Sequence, residues 1–506
     1  MGESFTLSPQ QWRIVSAPVA PAVVIAGAGS GKTSVMAARV SYLVANGHVT
    51  ADRVLGLTFT TKAAAELRAK VTTALAAAGF GPGVGDGEDE ELLEPTITTY
   101  NAYAARLLSE HGLRIGHEPD TRVMADATRF QVAARAVARH RGAVRGLSDH
   151  PPTVITNILE LDAQLSEHLV GPQDVRDFDA SVLSGAQDEL ARGPKGDLPK
   201  LIDAIARRSE LLDLVEGYRQ LKDGWGLIDF SDQIALAARL ADAHPEVGRL
   251  ERERFPIVLL DEYQDTSVAQ ARLLSRLFSG ESHRSGRGHA VMAVGDPNQA
   301  IYGWRGASVS NIMSFADTFP AAAGADPVPT YPLTISQRSD SRILEVANTL
   351  AAPLLAAHDS VQPLIARADA GPGAVHVVVH ETYVEELAWL SELVAATHEQ
   401  GRVPWQEIGV LTRDNAHAAD VFDSLSRAGI PVEIVGLNGL LKLPEVSEVV
   451  AMLTLLLDLT ANAELLHVLT GPRWAVGPRD LALLGARARE IAHSRRGRRT
   501  HATLAD

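Results

Sequence analysis

Short continuous apolar runs recur through the first part of the chain, at Ala22–Ala26, Val54–Phe59, Thr96–Tyr100, Ile257–Leu260 and Ala290–Val294. Runs of this length, rich in β-branched residues and without polar alternation, predict strands covered on both faces and hence a parallel sheet. Between the third and fourth runs, Ala125 to Leu221 carries Ala, Leu and Arg at helical spacing and predicts a helical insertion within one α/β domain. Gly79–Glu94, where glycine and proline precede Asp86, Glu88, Asp89, Glu90 and Glu91, reads as a solvated loop. The loose composition of Ala321–Pro329 reads as a linker. Beyond it, Val375–Val379, Ile408–Thr412 and Val432–Val435 predict a second set of strands. From Leu440 the spacing turns helical, ending in a basic tail from Arg487 to Arg499. No repeat of roughly 20–50 residues is found.

Composition narrows the class. At 506 residues the chain is long enough for about three domains. Its 46% hydrophobic and 22% charged residues are an ordinary globular balance, and its net charge of −15 argues against a basic coat. An acidic exterior still permits binding of a polyanion in a locally positive cleft. With no cysteine, disulfides, cysteine-held zinc and iron–sulfur clusters are excluded, which fits a reducing cytoplasm. The N-terminus lacks the basic and apolar regions of a signal peptide, and the apolar stretch Val449–Leu457 falls short of the roughly 18 residues of a membrane span. No membrane partner is expected.

Chemistry first appears after the first predicted strand. Ala26, Gly27, Ala28, Gly29, Ser30, Gly31, Lys32 and Thr33 match P-loop spacing, with alanine where the first glycine usually stands. Glycines let successive backbone N–H groups turn in on phosphate, Lys32 would reach the β- and γ-phosphates of ATP, and Thr33 would hold Mg²⁺. The fourth run ends on Asp261 and Glu262. Adjacent acids on an extended strand face opposite ways and are expected to do different jobs: Asp261 to bind Mg²⁺, Glu262 to polarise the attacking water.

The fifth run leads into Val294-Gly-Asp-Pro-Asn-Gln-Ala-Ile-Tyr-Gly-Trp-Arg-Gly-Ala307. Gln299 would sit where a parallel strand ends, the usual ligand position of open α/β sheets. Tyr302 and Trp304 can stack bases and Arg305 can pair with phosphate, so one segment would touch both a nucleotide and a nucleic-acid strand. The alternative is a buried turn with core aromatics.

Several motifs in order, over most of residues 5–440, resemble superfamily 1A DNA helicases of the UvrD/Rep/PcrA family. Leu7-Ser-Pro-Gln-Gln11 resembles the adenine-reading Q motif, which implies that Gln11 meets the adenine edge. Leu57–Arg68 is similar to the single-strand contact motif, implying that Thr58 and Phe59 face DNA, and Thr99-Tyr100-Asn101 stands where many members have Thr-Phe-His, another DNA backbone contact at Thr99. Asp261-Glu-Tyr-Gln-Asp-Thr266 matches the family's Walker B, so Gln264 and Asp265 would line the link between nucleotide and DNA. By the same resemblance Gln299 contacts the γ-phosphate, Arg305 lies between the two sites, and Arg338 of Leu333-Thr-Ile-Ser-Gln-Arg-Ser339 is the arginine finger.

Two departures concern the nucleotide base: Gln337 replaces the tyrosine that usually sandwiches adenine, and Ser34 replaces an arginine. The family's Leu-His-x-Ser-Lys-Gly-Leu-Glu and Val-Ala-x-Thr-Arg-Ala motifs are not found, so the chain reads as the N-terminal part of a longer helicase or a shortened one. The resemblance implies a first RecA-like ATP-binding domain at 1–110 plus 226–320, the helical insertion at 111–225, a partial second RecA-like domain at 330–436, and the start of a helical subdomain with a basic tail at 437–506. It further implies ATP and Mg²⁺ as cofactors, single-stranded and partially duplex DNA as substrate, 3′-to-5′ polarity, and repair or recombination proteins as partners. The alternatives are an ATP- and single-strand-binding accessory chain, or the motor of a helicase–nuclease. The basic tail is then either a solvated end or a contact to DNA phosphates.

Overall fold

The computed structural model describes residues 7–80, 94–118, 121–186, 196–358, 360–434 and 444–494. The acidic loop 86–91 and the arginines of 495–499 lie outside them. Six strands form one parallel sheet in the order β3-β2-β6-β7-β1-β8: β1 Ala22–Ala26, β2 Val54–Thr58, β3 Thr96–Thr99, β6 Ile257–Leu260, β7 Ala290–Gly295 and β8 Thr330–Leu333. The five apolar runs predicted as strands are strands. Their side chains alternate between two cores: Val23, Ile25, Leu55, Leu57, Val258 and Leu260 enter one, whereas Ala22, Val24, Ala26, Val54, Ile257 and Leu259 enter the other. Coverage of both faces is why these runs are continuously apolar.

Helices α1 (Pro9–Val15), α2 (Lys32–Ala45) and α3 (Thr61–Ala77) cover one face. Tyr103, Leu107 and Leu108 of α4 (Tyr100–His111) are buried on the other. The predicted insertion is a bundle of α5 (Asp126–Arg139), α6 (Pro151–Glu167), α7 (Pro172–Gly185) and α8 (Leu198–Gly224) around Ile155, Ile158, Leu212, Val215 and Tyr218. A two-residue parallel pair, β4 (Arg122–Val123) with β5 (Leu227–Ile228), brings its ends together. α9 (Phe230–Ala243), α10 (Pro245–Arg254) and α11 (Val268–Phe278) return the chain to the sheet.

A buried ionic cluster joins the insertion to α9. The Lys222 ammonium lies 2.7 Å from Asp162, 2.8 Å from Asp232 and 3.7 Å from Asp229. Arg219 pairs with Asp162, and Arg129 with Asp229. Burial opposes the charge on Lys222, but the three carboxylates outweigh it and raise its pKa. These carboxylates are close enough together to hold a metal ion, and the ammonium already occupies the place between them.

The chain divides into two compact units after Val375, and β8 and the helix Ser341–Ala357 lie in the first of them. The second unit departs from expectation. Among its described residues no strand forms at 375–379, 408–412 or 432–434; position 435 lies outside them. Helices Tyr383–Glu399 and Asn415–Arg427 do intervene, as a βα alternation requires, and they bury Val394, Leu425 and Ile430. A parallel strand needs hydrogen-bonded neighbours and cover on both faces. These segments have neither, and Val377, Val379 and Leu411 are 88%, 90% and 99% exposed.

Candidate active site

The loop after β1 turns through left-handed Gly29 (φ 73°) and Gly31 (φ 91°) before α2 begins at Lys32. A Cβ on Gly29 would stand 2.7 Å from the Arg338 Cβ and 2.9 Å from the Ser336 Oγ, so the loop admits only glycine there. The same closeness shows that Arg338 lies against the loop, where Gln337 N–H donates to Gly29 O (2.8 Å) and Gly27 N–H to Leu333 O (3.0 Å). Within the loop the buried Ser30 hydroxyl donates to Gly27 O. Ala26 is the last residue of β1, and Ala28, Thr33 and Ser34 are half-buried. A cavity of about 360 Å³ runs from Gly27 and Ala28 past Asp296, Asn298 and Gln299 to Leu350 and Leu354.

Asp261 N–H donates to Leu57 O, continuing the β2–β6 ladder, and its carboxylate is buried, accepting from Thr58 Oγ1 (3.3 Å) and Glu262 N–H (3.1 Å). The next residue breaks the strand: Glu262 is left-handed (φ 47°), an uncommon state for a residue with a Cβ. That turn sends its carboxylate to Lys32 Nζ at 2.7 Å. The two acids therefore point to different partners, through a left-handed turn at Glu262 rather than through the alternation of an extended strand. Burial, then Glu262, raise the Asp261 pKa to about 6, against the opposing pull of Lys32. Asp261 forms no ion pair among the described residues, and its buried carboxylate is an oxygen donor of the kind that suits a hard divalent cation.

If Asp261 binds Mg²⁺, it sets a pH window. An acid whose folded pKa is raised prefers to keep its proton, so Mg²⁺ would have to displace that proton below about pH 6. The Mg²⁺ concentration for half-maximal effect is expected to rise by up to about tenfold per pH unit below that point and to stay flat above pH 7. Titrating Mg²⁺ at several pH values checks this; a flat response from pH 5 to 8 counts against Asp261. Burial also raises Asp265 to about 6, so Asp261→Asn is needed to assign the effect.

From Glu262 a hydrogen-bonded chain crosses the sheet end. Gln264 Nε2 donates to Glu262 Oε2 (2.9 Å) and to Asp265 Oδ2 (3.1 Å), while Gln264 Oε1 accepts from Asp296 N–H (3.0 Å). Asp296 Oδ2 then accepts from Gln299 Nε2 at 2.6 Å. Gly295 is obligatory here, since a Cβ would stand 2.3 Å from Gln264 Oε1. Three residues past Gln299, the Tyr302 ring lies 4.8 Å from Phe59 and 6.5 Å from Trp304, which is 68% exposed. The aromatics form a surface strip and not a buried core. Arg305 closes the short helix Gly303–Arg305, and its side chain is outside the described residues.

One expectation changes. Thr58 does not face outward: it is fully buried, and its hydroxyl is spent on Asp261. Gln11 is buried with its amide already engaged, Oε1 accepting from Ser8 N–H (2.9 Å) and Nε2 donating to Ser30 O (3.4 Å). Thr99 caps α4 through Ala102 N–H, half-buried. Residue reading gave no role to Gln10, Tyr100 or Asp296. Gln10 exchanges two hydrogen bonds with Thr334, and Tyr100 OH donates to Asp261 O. Asp296 had a readable signal, since it follows β7 as Asp261 follows β6.

This arrangement joins a phosphate loop, two differently placed acids and an aromatic strip, and comparison with known proteins bears on it. A family model for the UvrD/REP helicase N-terminal domain matches residues 7–320. The chain belongs to the UvrD/REP helicase family. A model for the UvrD-like helicase C-terminal domain matches residues 331–494. Relatives within the UvrD group include the ATP-dependent DNA helicase UvrD1 of Mycobacterium tuberculosis, 28% identical over 95% of this chain and 56% of the relative. UvrD2 of Mycobacterium bovis is 30% identical over 96% of this chain and 63% of its own length. PcrA of Bacillus subtilis is 26% identical over 95% and 57%. The chain thus spans somewhat more than half the length of the curated UvrD and PcrA relatives it matches. No described helix is long and apolar enough to cross a membrane.

Proposed function

We propose that this chain is the ATP-driven motor portion of a DNA helicase that moves 3′ to 5′ along single strands and unwinds duplex in DNA repair or recombination. The supporting observation is the continuous chain Lys32–Glu262–Gln264–Asp296–Gln299, which ends three residues from the Tyr302–Trp304 strip. In this reading Lys32 leaves Glu262 for the phosphates of ATP, and Glu262, released, orients and deprotonates the attacking water. Arg338, beside Gly29, stabilises the charge that develops on the γ-phosphate. Mg²⁺ held by Thr33 and Asp261 would neutralise phosphate charge.

Gln299 senses the γ-phosphate with the amide now held by Asp296, and it lies three residues before Tyr302 on the same segment. Phe59, Tyr302 and Trp304 stack bases without regard to identity, so little sequence preference is expected. In this reading Thr99, at the start of α4, contacts the DNA backbone, and Gln11 reads adenine.

The test is ATP hydrolysis by the 506-residue chain with and without single-stranded DNA. Wild type should be stimulated and Lys32→Ala inactive. If both give one background rate while still binding single strands, the chain is an ATP- and DNA-binding accessory and the motor reading fails. Trp304→Ala should weaken single-strand binding by about 5- to 150-fold, the range of one lost base stack. It should lower DNA-stimulated hydrolysis far more than DNA-free hydrolysis. Equal loss of the two rates would make Trp304 a structural residue.

A further inference from the structure

Arg39 is a buried charge without a buried acid. It lies on α2 about two turns beyond Lys32, is 2% exposed, and sends its guanidinium into a cage of carbonyl oxygens. Nη1 donates to Ile14 O (3.1 Å), Val15 O (3.1 Å) and Ala17 O (2.9 Å), and Nη2 to Pro18 O (2.9 Å). Burial lowers its pKa to about 10. Ionised groups are rarely buried this deeply unless they organise something. What Arg39 organises is the C-terminal end of α1, whose last carbonyls have no partner within the helix.

The other end of α1 carries the two glutamines. Gln11 Nε2 reaches the P-loop at Ser30 O, and Gln10 is tied to Thr334, four residues before Arg338. α1 is therefore a short rod with its glutamine end over the P-loop and its other end fixed by a residue of the P-loop's own helix. We infer that Arg39 is a positioning residue for base selection: by holding the end of α1 it sets where the Gln11 amide stands relative to Lys32 and Thr33, and so makes the site prefer adenine. This rests on the reading of Gln11 as the adenine contact. It matters more here because Gln337 and Ser34 replace two residues expected on the base side.

The experiment is equilibrium competition against a fluorescent ATP analogue, in Mg²⁺, by ATP, GTP and inorganic tripolyphosphate. Gln11→Ala should weaken ATP about tenfold and tripolyphosphate much less, since base hydrogen bonds are lost on top of the single Gln11 bond to the P-loop at Ser30 O. Arg39→Met should do the same, and the double variant should be no worse than either single one. Arg39→Lys, which retains the charge and part of the donor set, should recover part of the ATP-over-GTP preference. It also decides the matter if Arg39→Met does not fold.

Equal loss of ATP and tripolyphosphate in the Arg39 variants would reduce Arg39 to a staple of the loop, and an unchanged ATP-to-GTP ratio would overturn the inference while leaving Gln11 in place. If instead Gln11→Ala itself leaves the ratio unchanged, the reading of Gln11 fails and the inference falls with it. A wild type with no preference overturns both.

Discussion

Glu262→Gln is expected to lower DNA-stimulated ATP turnover by about 10²–10⁴ without weakening nucleotide binding, because the amide keeps the shape of the carboxylate and loses its basicity. The geometry makes the second half of this expectation specific. Glu262 is the carboxylate that holds Lys32 at 2.7 Å, so neutralising it frees the ammonium for phosphate, and ATP should bind at least as tightly as to wild type. The Gln264 bond can persist, since an amide oxygen also accepts. Single-turnover hydrolysis and equilibrium binding, measured on the same preparation, separate the two effects. Unimpaired turnover would mean that Glu262 is only a counterion for Lys32.

Lys222→Met should cost about 3–5 kcal/mol, the usual result of removing one partner from a buried charge cluster. Three carboxylates would be left facing one another, two of them almost wholly buried. The loss has a pH sign. Burial and Asp229 already raise Asp232 to about 6 even with the ammonium beside it, and without Lys222 the carboxyls would hold protons more strongly still. The defect should therefore be largest near pH 7.5 and partly relieved near pH 5.5, where protonation removes the repulsion. The first urea transition, followed at both pH values, measures it. A variant as stable as wild type at pH 7.5 would show that water or side-chain rearrangement replaces the ammonium.

Residue patterns located five strands of the main sheet: four are covered on both faces, which leaves an apolar signature, and the half-buried edge strand β3 was found by its β-branched residues. β8 was not legible: Pro332 interrupts it, and a proline is tolerated only because β8 is an edge strand bonded to β1 alone. The runs at 375–379 and 408–412 have the same signature without the neighbours, which composition cannot reveal. Within the site, residue types were legible and their pairings were not. Lys32 and Glu262 meet across 230 residues of sequence. Thr58 and Phe59 illustrate the limit of a motif, since Thr58 is the buried last residue of β2 and Phe59, just past the strand end, is the one that joins the aromatic strip.

The tie between Gln10 and Thr334 spans 324 residues. A ribosome adds roughly 5–20 residues per second, so about 15–65 s separate synthesis of the P-loop from synthesis of the strand and arginine that flank it. Until β7 is made β1 has both edges open, since its two neighbours, β7 and β8, are still to come. The nascent chain thus carries an unpaired, wholly apolar strand while residues 27–290 are added. Its yield in a cell should respond to chaperone supply and to slow codons between residues 100 and 290 more than to the stability of the finished fold.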